Sequence, residues 1–181
     1  MIGELVMNIW HDIDCSRINE DDFIAVIEIS KGSKMKYELD KDTGMLILDR
    51  VLSTSTIYPA SYGFIPKTFC DDNDPLDVLV LCQEPIKSYT AVRCYPIGML
   101  KMIDNNETDE KIIAIPFKDP SMNQYHDISE LPKHLFEEIM HFFKIYKALE
   151  NKETTVGELL GCNEAKKCIK EAKEFYNKKF L

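Results

Sequence analysis

The chain has 181 residues, of which 45% are hydrophobic and 29% are charged, and its formal net charge is −9. This composition is typical of a globular protein, and the length suits a single domain, residues 1–181, with a sizeable core. An excess of acids disfavours non-specific binding to nucleic acid and to anionic membranes, so neither is expected as a partner. No apolar run approaches the ~20 residues of a membrane span, and the N-terminus lacks the basic region of a signal peptide. We therefore expect a cytoplasmic protein.

Six cysteines are scattered along the chain, without CxxC pairs and without histidines at zinc-binding spacing. Several lie inside apolar runs, as in VLVLCQ and VRCYPIG. Small, buried thiols in a reducing cytosol explain this usage better than a structural zinc site does.

Residues 23–117 contain short apolar, β-branched runs broken by turn residues, a pattern typical of strands. The runs are FIAVIEI, KYELD, MLILDRVL, DVLVL, AVRCYPIGMLKMI and IIAIPF. Between the second and third runs, DKDTG predicts a hairpin turn with Gly44 at positive φ. Six strands with short links and no intervening helix predict a small closed or nearly closed β-barrel.

After Ser129 the hydrophobic period becomes helical. The spacing predicts one amphipathic helix over residues 132–150 and a second that begins with Asn163 as its N-cap. No internal repeat or Gly/Ser linker marks a domain boundary. The predicted fold class is therefore α+β, a small OB-like closed β-barrel with two C-terminal helices packed on it.

The stretch DDNDPLDVLVL, residues 71–81, places four aspartates within seven residues before a predicted buried strand. Two unit charges about 4 Å apart repel by roughly 4 kcal/mol at an effective dielectric constant near 20. Pro75 stiffens the turn, so Asp72, Asp74 and Asp77 cannot move far from the strand. Either this loop is splayed into water, or a positive group lies among the carboxylates.

The loop does not match an EF-hand, because Leu76 stands at the third ligand position and the glycine of that motif is missing. Oxygen ligands without histidine or thiolate favour Mg²⁺ or Mn²⁺ over zinc. Magnesium often completes its shell with phosphate oxygens, which indicates phosphoryl chemistry. Since the chain has neither a P-loop nor a kinase signature, nucleotide-driven transfer is not expected.

Several motifs occur in an order that resembles one known family. They are EI at 28–29 with KYE at 36–38, LDR at 48–50, STIYPASYGFIPKT at 55–68, the D-x-D-P-x-D pattern at 72–77 before an apolar strand, PIGMLKMID at 96–104, the Asp104 and Asp109 pair with Lys111, and HFFKIYKALE at 141–150. Over about residues 20–150 the chain is thus similar to the family I soluble inorganic pyrophosphatases of prokaryotic type. Asn73 and Tyr95 depart from that pattern, where glycine and arginine respectively are common.

This resemblance implies Mg²⁺-dependent hydrolysis of inorganic diphosphate to two orthophosphates by a metal-activated water, with Asp74 as general base. The implied metal ligands are Asp72, Asp77, Asp109, Asp104 and Glu28, of which Asp77 bridges two ions. The implied substrate-binding residues are Lys36, Arg50, Tyr62, Lys111, Tyr146 and Lys147, supported by Glu38 and Tyr58. The resemblance further implies a site at the mouth of a five-stranded OB-like barrel and a homo-oligomer, with a hexamer favoured. Mn²⁺ or Zn²⁺ would be substitute ions.

Three other interpretations stay open. A related metal-dependent hydrolase would prefer another phosphoanhydride, such as short polyphosphate. An inactive OB-like barrel would bind nucleic acid or protein, but it needs a basic groove with exposed stacking aromatics, which the net charge of −9 disfavours. In the third interpretation, the aspartates of the loop are ordinary surface charges in contact with water.

Overall fold

The computed structural model describes residues 7–104, 107–150 and 154–181, except for the side chains of Asp104 and Glu107. Within these ranges the chain forms eight strands and two α-helices. The strands are β1 (Phe23–Ile29), β2 (Met35–Leu39), β3 (Leu46–Val51), β4 (Ser61–Phe64), β5 (Asp77–Val80), β6 (Thr90–Asp104), β7 (Glu107–Pro116) and β8 (Thr154–Gly161). The helices are α1 (Lys133–Ile145) and α2 (Cys162–Phe180). Short 3₁₀ turns lie at Cys15–Arg17, Ile128–Glu130 and Ala148–Glu150.

Six strands form one mixed sheet in the order β1-β4-β5-β7-β6-β8, and β1 also pairs with β6. The β5–β7 pair is parallel, and the other pairs in this sheet are antiparallel. Strands β2 and β3 form a separate antiparallel hairpin. All seven residues of β1 are buried, as expected for a strand that is paired on both edges and covered on both faces.

The buried side chains form two clusters, one on each face of the sheet. Along β5, Val78 belongs to the first cluster and Leu79 to the second, which is the two-residue alternation of a strand. Helix α2 contributes Ile169 and Tyr176 to the first cluster, whereas α1 contributes Phe142 to the second. The two C-terminal helices therefore pack on opposite faces of the sheet.

The six predicted strand runs coincide with observed strands, and the predicted hairpin turn is confirmed, with Gly44 at φ +71°. Two strands were not predicted. The β4 segment SYGF has only four residues and contains a glycine, and β8 is a partly exposed strand that contains two glycines. Glycine and short length both weaken the strand signal in a sequence.

The sequence predicted the right number of C-terminal helices, but the end of the first helix and the start of the second differ from the prediction. Helix α1 stops at Ile145, five residues before the predicted end, and a separate 3₁₀ turn follows. Helix α2 has Gly161 at its N-cap, so Asn163 lies inside the helix and its predicted capping role is wrong. The Asp127 carboxylate accepts a hydrogen bond of 2.9 Å from the Cys162 N–H. This distant side chain satisfies a first-turn donor, which local sequence cannot reveal.

Two further findings concern the described residues. None of their helices is long and apolar enough to cross a membrane. All six cysteines lie among them, and none forms a disulfide there.

Candidate active site

A cavity of ≈ 460 Å³ lies between the β2–β3 hairpin, the loop before β5, strand β7 and the segment after α1. Most of the side chains that line it are charged or carry a phenol. The lining residues are Glu28, Lys36, Tyr37, Glu38, Leu39, Lys41, Asp49, Arg50, Tyr62, Phe64, Asp72, Asp74, Pro75, Asp77, Asp109, Lys111, Tyr146 and Lys147. The fold thus brings together in one cavity all the sequence-predicted site residues except Tyr58 and Asp104. Asp104 ends β6, and its side chain lies outside the described part of the structure.

The aspartate loop is held by hydrogen bonds within itself and to the core. Asp72 Oδ1 accepts a bond of 3.0 Å from the Asp74 N–H, and Asn73 between them has φ +66°, a left-handed conformation that asparagine tolerates. Leu76 is fully buried, and its N–H donates to Thr68 Oγ1 at 2.8 Å. The loop is therefore anchored at the strand, and it keeps its carboxylates at the cavity.

Strand pairing places a lysine among the carboxylates. In the parallel β5–β7 pair, Asp77 is opposite Lys111, and Asp109 lies two residues earlier on β7, on the same face as Lys111. Lys111 Nζ lies 2.7 Å from Asp77 Oδ2 and 2.8 Å from Asp109 Oδ1, and Lys111 is only 2% exposed. Burial acts against its charge, but the two carboxylates outweigh it and raise the pKa of Lys111. The amine is therefore a buried cation.

Two tyrosines lie beside this ion pair. The Tyr62 hydroxyl donates to Asp77 Oδ2 and accepts from Lys111 Nζ at 3.1 Å. Burial raises the pKa of Tyr62, with the Asp77 charge adding to the effect, so the phenol stays protonated. Tyr58 is 1% exposed, and its ring centroid lies 5.5 Å from that of Tyr62. It does not line the cavity but packs behind a residue that does.

The carboxylates that lack a lysine partner carry an electrostatic penalty. Glu28 is buried, and its Oε1 accepts a bond of 2.8 Å from the Leu39 N–H. Burial, with the Asp77 charge adding to it, raises the pKa of Glu28 to about 8. Burial also raises the pKa of Asp72 to about 6, and the nearby carboxylates, Asp74 among them, act in the same direction. A cation bound here would remove much of this penalty.

The hairpin supplies two basic side chains to the opposite wall. Lys36 pairs with Glu38, and its Nζ lies 3.4 Å from Asp49 Oδ2. Arg50 Nη1 also contacts Asp49, while Arg50 Nε donates to Glu150 Oε1 at 3.0 Å. Arg50 Nη2 is buried and has no hydrogen-bond acceptor among the described residues. The guanidinium is thus held by two carboxylates, and one of its nitrogens makes no hydrogen bond within the described part of the chain.

The segment after α1 supplies the remaining wall. Tyr146 is 5% and Lys147 8% exposed, and Lys147 Nζ lies 5.2 Å from the centre of the Tyr146 ring. The Tyr146 ring stacks on Phe142 of α1 at 5.2 Å. Both polar ends therefore reach the cavity from a segment anchored in the core.

The described carboxylates of the cavity suit a divalent metal ion in donor type, although they are not arranged around one. Among the described residues, no group of three or more His, Cys, Asp or Glu is already arranged around a common ion position. Asp77 and Asp109 face Lys111 instead. The donor set of Asp72, Asp77 and Asp109 nevertheless consists of carboxylate oxygens that line one cavity, which is the ligand chemistry of Mg²⁺ and Mn²⁺. By donor type, the residues fit such an ion.

Sequence reasoning missed several members of the site. Lys41, from the hairpin turn, pairs with Asp74, and its Nζ donates to the Asn73 carbonyl at 3.1 Å. Asp49 contacts both Lys36 and Arg50. Asp49 directly precedes the predicted Arg50, whereas Lys41 lies three residues after Glu38, the nearest predicted site residue. Nothing local distinguished them from solvated charges.

Comparison with known proteins gives a family match. The family described as "Inorganic pyrophosphatase" has a sequence model that matches residues 25–177. The chain is 47% identical over 172 residues to soluble inorganic pyrophosphatase 2 of Chlamydomonas reinhardtii, which covers 95% of this chain and 90% of that protein. It is 48% identical over 167 residues to a soluble inorganic pyrophosphatase of Zea mays, covering 92% of this chain and 78% of that protein.

Solved structures give the same match. The inorganic pyrophosphatase of Helicobacter pylori aligns with a TM-score of 0.87 at 41% identity, over 92% of this chain and 99% of that chain. The enzyme of Thermus thermophilus aligns with a TM-score of 0.88 at 34% identity, over 94% and 99%. These likenesses confirm the expected combination of a β-sheet with C-terminal helices.

Proposed function

The chain belongs to the inorganic pyrophosphatase family, and on that premise we propose that it hydrolyses inorganic diphosphate to two orthophosphates in a Mg²⁺-dependent reaction with Asp74 as the general base. As a member of that family the chain is a hydrolase, and diphosphate is the substrate that the relatives' names support. The metal, the base and the role of each site residue are the proposed part.

Asp72, Asp77 and Asp109 would hold the primary metal ions, with Asp77 shared between two, while Glu28 and Asp104 would hold ions that arrive with the substrate. Divalent ions supply charge neutralisation and make water more acidic. The proposal is supported by the burial-raised pKa values of Glu28 and Asp72, because crowded carboxylates gain most from a cation. Mn²⁺ or Zn²⁺ would serve as substitute ions.

The substrate is strongly anionic, and the hairpin, β4, β7 and the segment after α1 present the groups that would bind it. These groups are Lys36, Arg50, Tyr62, Lys111, Tyr146 and Lys147, with Glu38 and Tyr58 in support. The observation that carries the proposal is that the four cationic side chains of this group line one cavity together with the aspartates; they are Lys36, Arg50, Lys111 and Lys147. Cations around a cavity stabilise a bound polyanion such as diphosphate.

The exposure and contacts of Asp74 support its proposed role as the base for the attacking water. Its side chain is 50% exposed at the cavity rim and pairs with Lys41, whereas its backbone N–H is bonded to Asp72. The carboxylate is therefore accessible to water but fixed beside the metal-binding residues. Phosphoryl transfer requires mainly such positioning and neutralised charge.

Expectations about domain organisation, fold, location and partners are part of the same proposal. We propose that residues 1–181 form one domain and that β1, β4, β5, β7 and β6 form an OB-like barrel with the site at its mouth, supported by the pairing of β1 with both β4 and β6. We also propose a cytoplasmic homo-oligomer, with a hexamer favoured on the family resemblance. Neither nucleic acid nor membrane is a proposed partner.

Release of orthophosphate from purified protein tests the function. Diphosphate and tripolyphosphate would each be supplied with Mg²⁺, Mn²⁺ or Zn²⁺, and with EDTA as the control. We expect fastest release from diphosphate with Mg²⁺ and none with EDTA. Faster release from tripolyphosphate would favour the polyphosphatase alternative, and binding to nucleic acid at low salt without any release would favour the inactive barrel.

A further inference from the structure

We propose that Glu150 is a positioning residue for diphosphate recognition, which acts by fixing the Arg50 guanidinium at the wall of the cavity. The inference rests on the proposed function, since it takes the ligand to be a phosphate. Glu150 was not among the site residues that the sequence indicated. Arg50 lines the cavity described above and Glu150 does not, so the role assigned to Glu150 is an indirect one through Arg50.

The contact between the two residues links distant parts of the chain. Glu150 Oε1 accepts hydrogen bonds from Arg50 Nε at 3.0 Å and from Ser53 Oγ at 3.3 Å. The side chains of Arg50 and Glu150 are 26% and 17% exposed. The pair is thus partly shielded from water, and a charge-assisted hydrogen bond is stronger there than on an open surface.

Two carboxylates fix the guanidinium from different sides. Glu150 accepts from Nε and Asp49 from Nη1, while Nη2 is buried and has no acceptor among the described residues. Asp49 is shared, because Lys36 Nζ also lies 3.4 Å from the same Oδ2. Since a guanidinium is planar and rigid, fixing Nε and Nη1 also fixes the direction of Nη2.

The position of Glu150 also couples two walls of the cavity. Its N–H donates to the Lys147 carbonyl at 2.9 Å in the 3₁₀ turn, so Glu150 is fixed relative to the segment that carries Tyr146 and Lys147. Arg50 belongs to β3. The Glu150–Arg50 contact therefore sets the distance between the arginine and the lysine that would bind the same substrate.

If the Glu150–Arg50 ion pair only stabilised the fold, its removal would have different effects on stability and on KM. Partly exposed ion pairs contribute about 0–1 kcal/mol to stability, so a structural role would lower the thermal midpoint slightly and leave KM unchanged. A positioning role predicts a higher KM for diphosphate. It also predicts that removing Glu150 adds nothing once Arg50 is removed.

Steady-state kinetics at saturating Mg²⁺ would compare Glu150→Ala, Glu150→Gln and a matched control, Ser53→Ala. The control removes the other hydrogen-bond donor to Glu150 Oε1 and leaves Arg50 in place. We expect Glu150→Ala to raise KM about tenfold with a smaller change in kcat. Glu150→Gln keeps an acceptor oxygen and should recover part of the loss, while Ser53→Ala stays near wild type. In the Arg50→Ala background, Glu150→Ala should have no further effect. Circular dichroism and thermal unfolding verify folding.

An unchanged KM in folded Glu150→Ala, or a full tenfold loss on top of Arg50→Ala, would overturn the inference. Phosphate release by the wild type in the same assay would show that the proposed function holds even if the inference about Glu150 fails. If the wild type released no phosphate, calorimetry with inorganic phosphate would decide. Phosphate binding that weakens about tenfold in Glu150→Ala but stays near wild type in Ser53→Ala supports the inference, and equal or absent binding in the wild type and Glu150→Ala overturns it.

Discussion

Asp77 and Lys111 stand opposite each other on the parallel strands β5 and β7, and their side chains form an ion pair of 2.7 Å. The pairing register thus places one carboxylate of the aspartate loop against the ammonium group of a lysine that is only 2% exposed. A divalent ion on Asp77 would compete with Lys111 for the same oxygens.

Asp77→Asn removes the carboxylate that the proposed metal ions share. We expect turnover to fall by at least about a hundredfold and magnesium affinity to weaken, because the amide oxygen carries no net charge. Turnover would be measured by phosphate release and affinity by titration calorimetry. Unchanged magnesium affinity would contradict the ligand role of Asp77.

Asp74→Asn is the matched variant, since it makes the same chemical change three residues earlier in the same loop. We expect a loss of turnover of about 10²–10⁴-fold, the usual contribution of a general base, with magnesium binding largely kept. Calorimetry on both variants separates the two roles. Equal loss of magnesium affinity in Asp74→Asn and Asp77→Asn would refute the assignment.

The metal-free protein should lose stability as pH rises from about 4.5 to about 8. Burial raises the pKa of Glu28 from the ordinary 4.5 to about 8, so within this window the unfolded chain releases a proton that the folded protein retains. The free energy of unfolding therefore falls with increasing pH. Asp72, whose pKa burial raises to about 6, acts in the same direction.

Glu28→Gln tests the origin of that slope. The variant cannot lose the proton, so in EDTA its stability should change less between pH 5 and pH 8 than that of the wild type. Urea unfolding would be followed by the fluorescence of Trp10, the chain's single tryptophan, which is 3% exposed. Equal slopes in the two proteins would show that Glu28 ionises normally.

Gly63→Ala should destabilise the fold next to the site. A Cβ at Gly63 would lie 1.9 Å from the Val26 carbonyl oxygen in the neighbouring strand β1, so the backbone must shift. We expect a loss of about 1–3 kcal/mol or more in urea unfolding. Gly161→Ala is the milder comparison, because there the nearest atom, at 3.0 Å, is the Asp127 carboxylate oxygen, and a small shift of this side chain would at most weaken its bond to the Cys162 N–H. Equal losses would contradict this account.

The sequence predicted those parts of the molecule whose cause is local. The aspartates could be located because Pro75 and the following apolar strand restrict where their side chains can lie. The strand SYGF could not be predicted, because its burial comes from neighbouring strands rather than from its own residues. The prediction of the α2 N-cap failed for a similar reason. Asp127, 35 residues away in sequence, accepts the hydrogen bond from the first-turn N–H of Cys162.

In the candidate site, too, residues in local motifs could be predicted and residues that depend on tertiary contacts could not. The residues carried by motifs line the cavity, apart from Tyr58 behind it and the undescribed side chain of Asp104. Glu150 reaches Arg50 across a sequence separation of 100 residues, and Lys41 reaches Asp74 only when the hairpin turn folds over the loop. Such contacts depend on tertiary packing, which no local pattern encodes.

The central claim is that the crowded carboxylates are tolerated because they bind divalent cations. Titration calorimetry of folded, metal-free protein with Mg²⁺ at neutral pH tests it most directly, with Asp77→Asn in parallel. We predict saturable uptake at or below millimolar Mg²⁺ by the wild type, clearly weaker in the variant. A folded wild-type protein that takes up no magnesium at millimolar concentration would contradict the account.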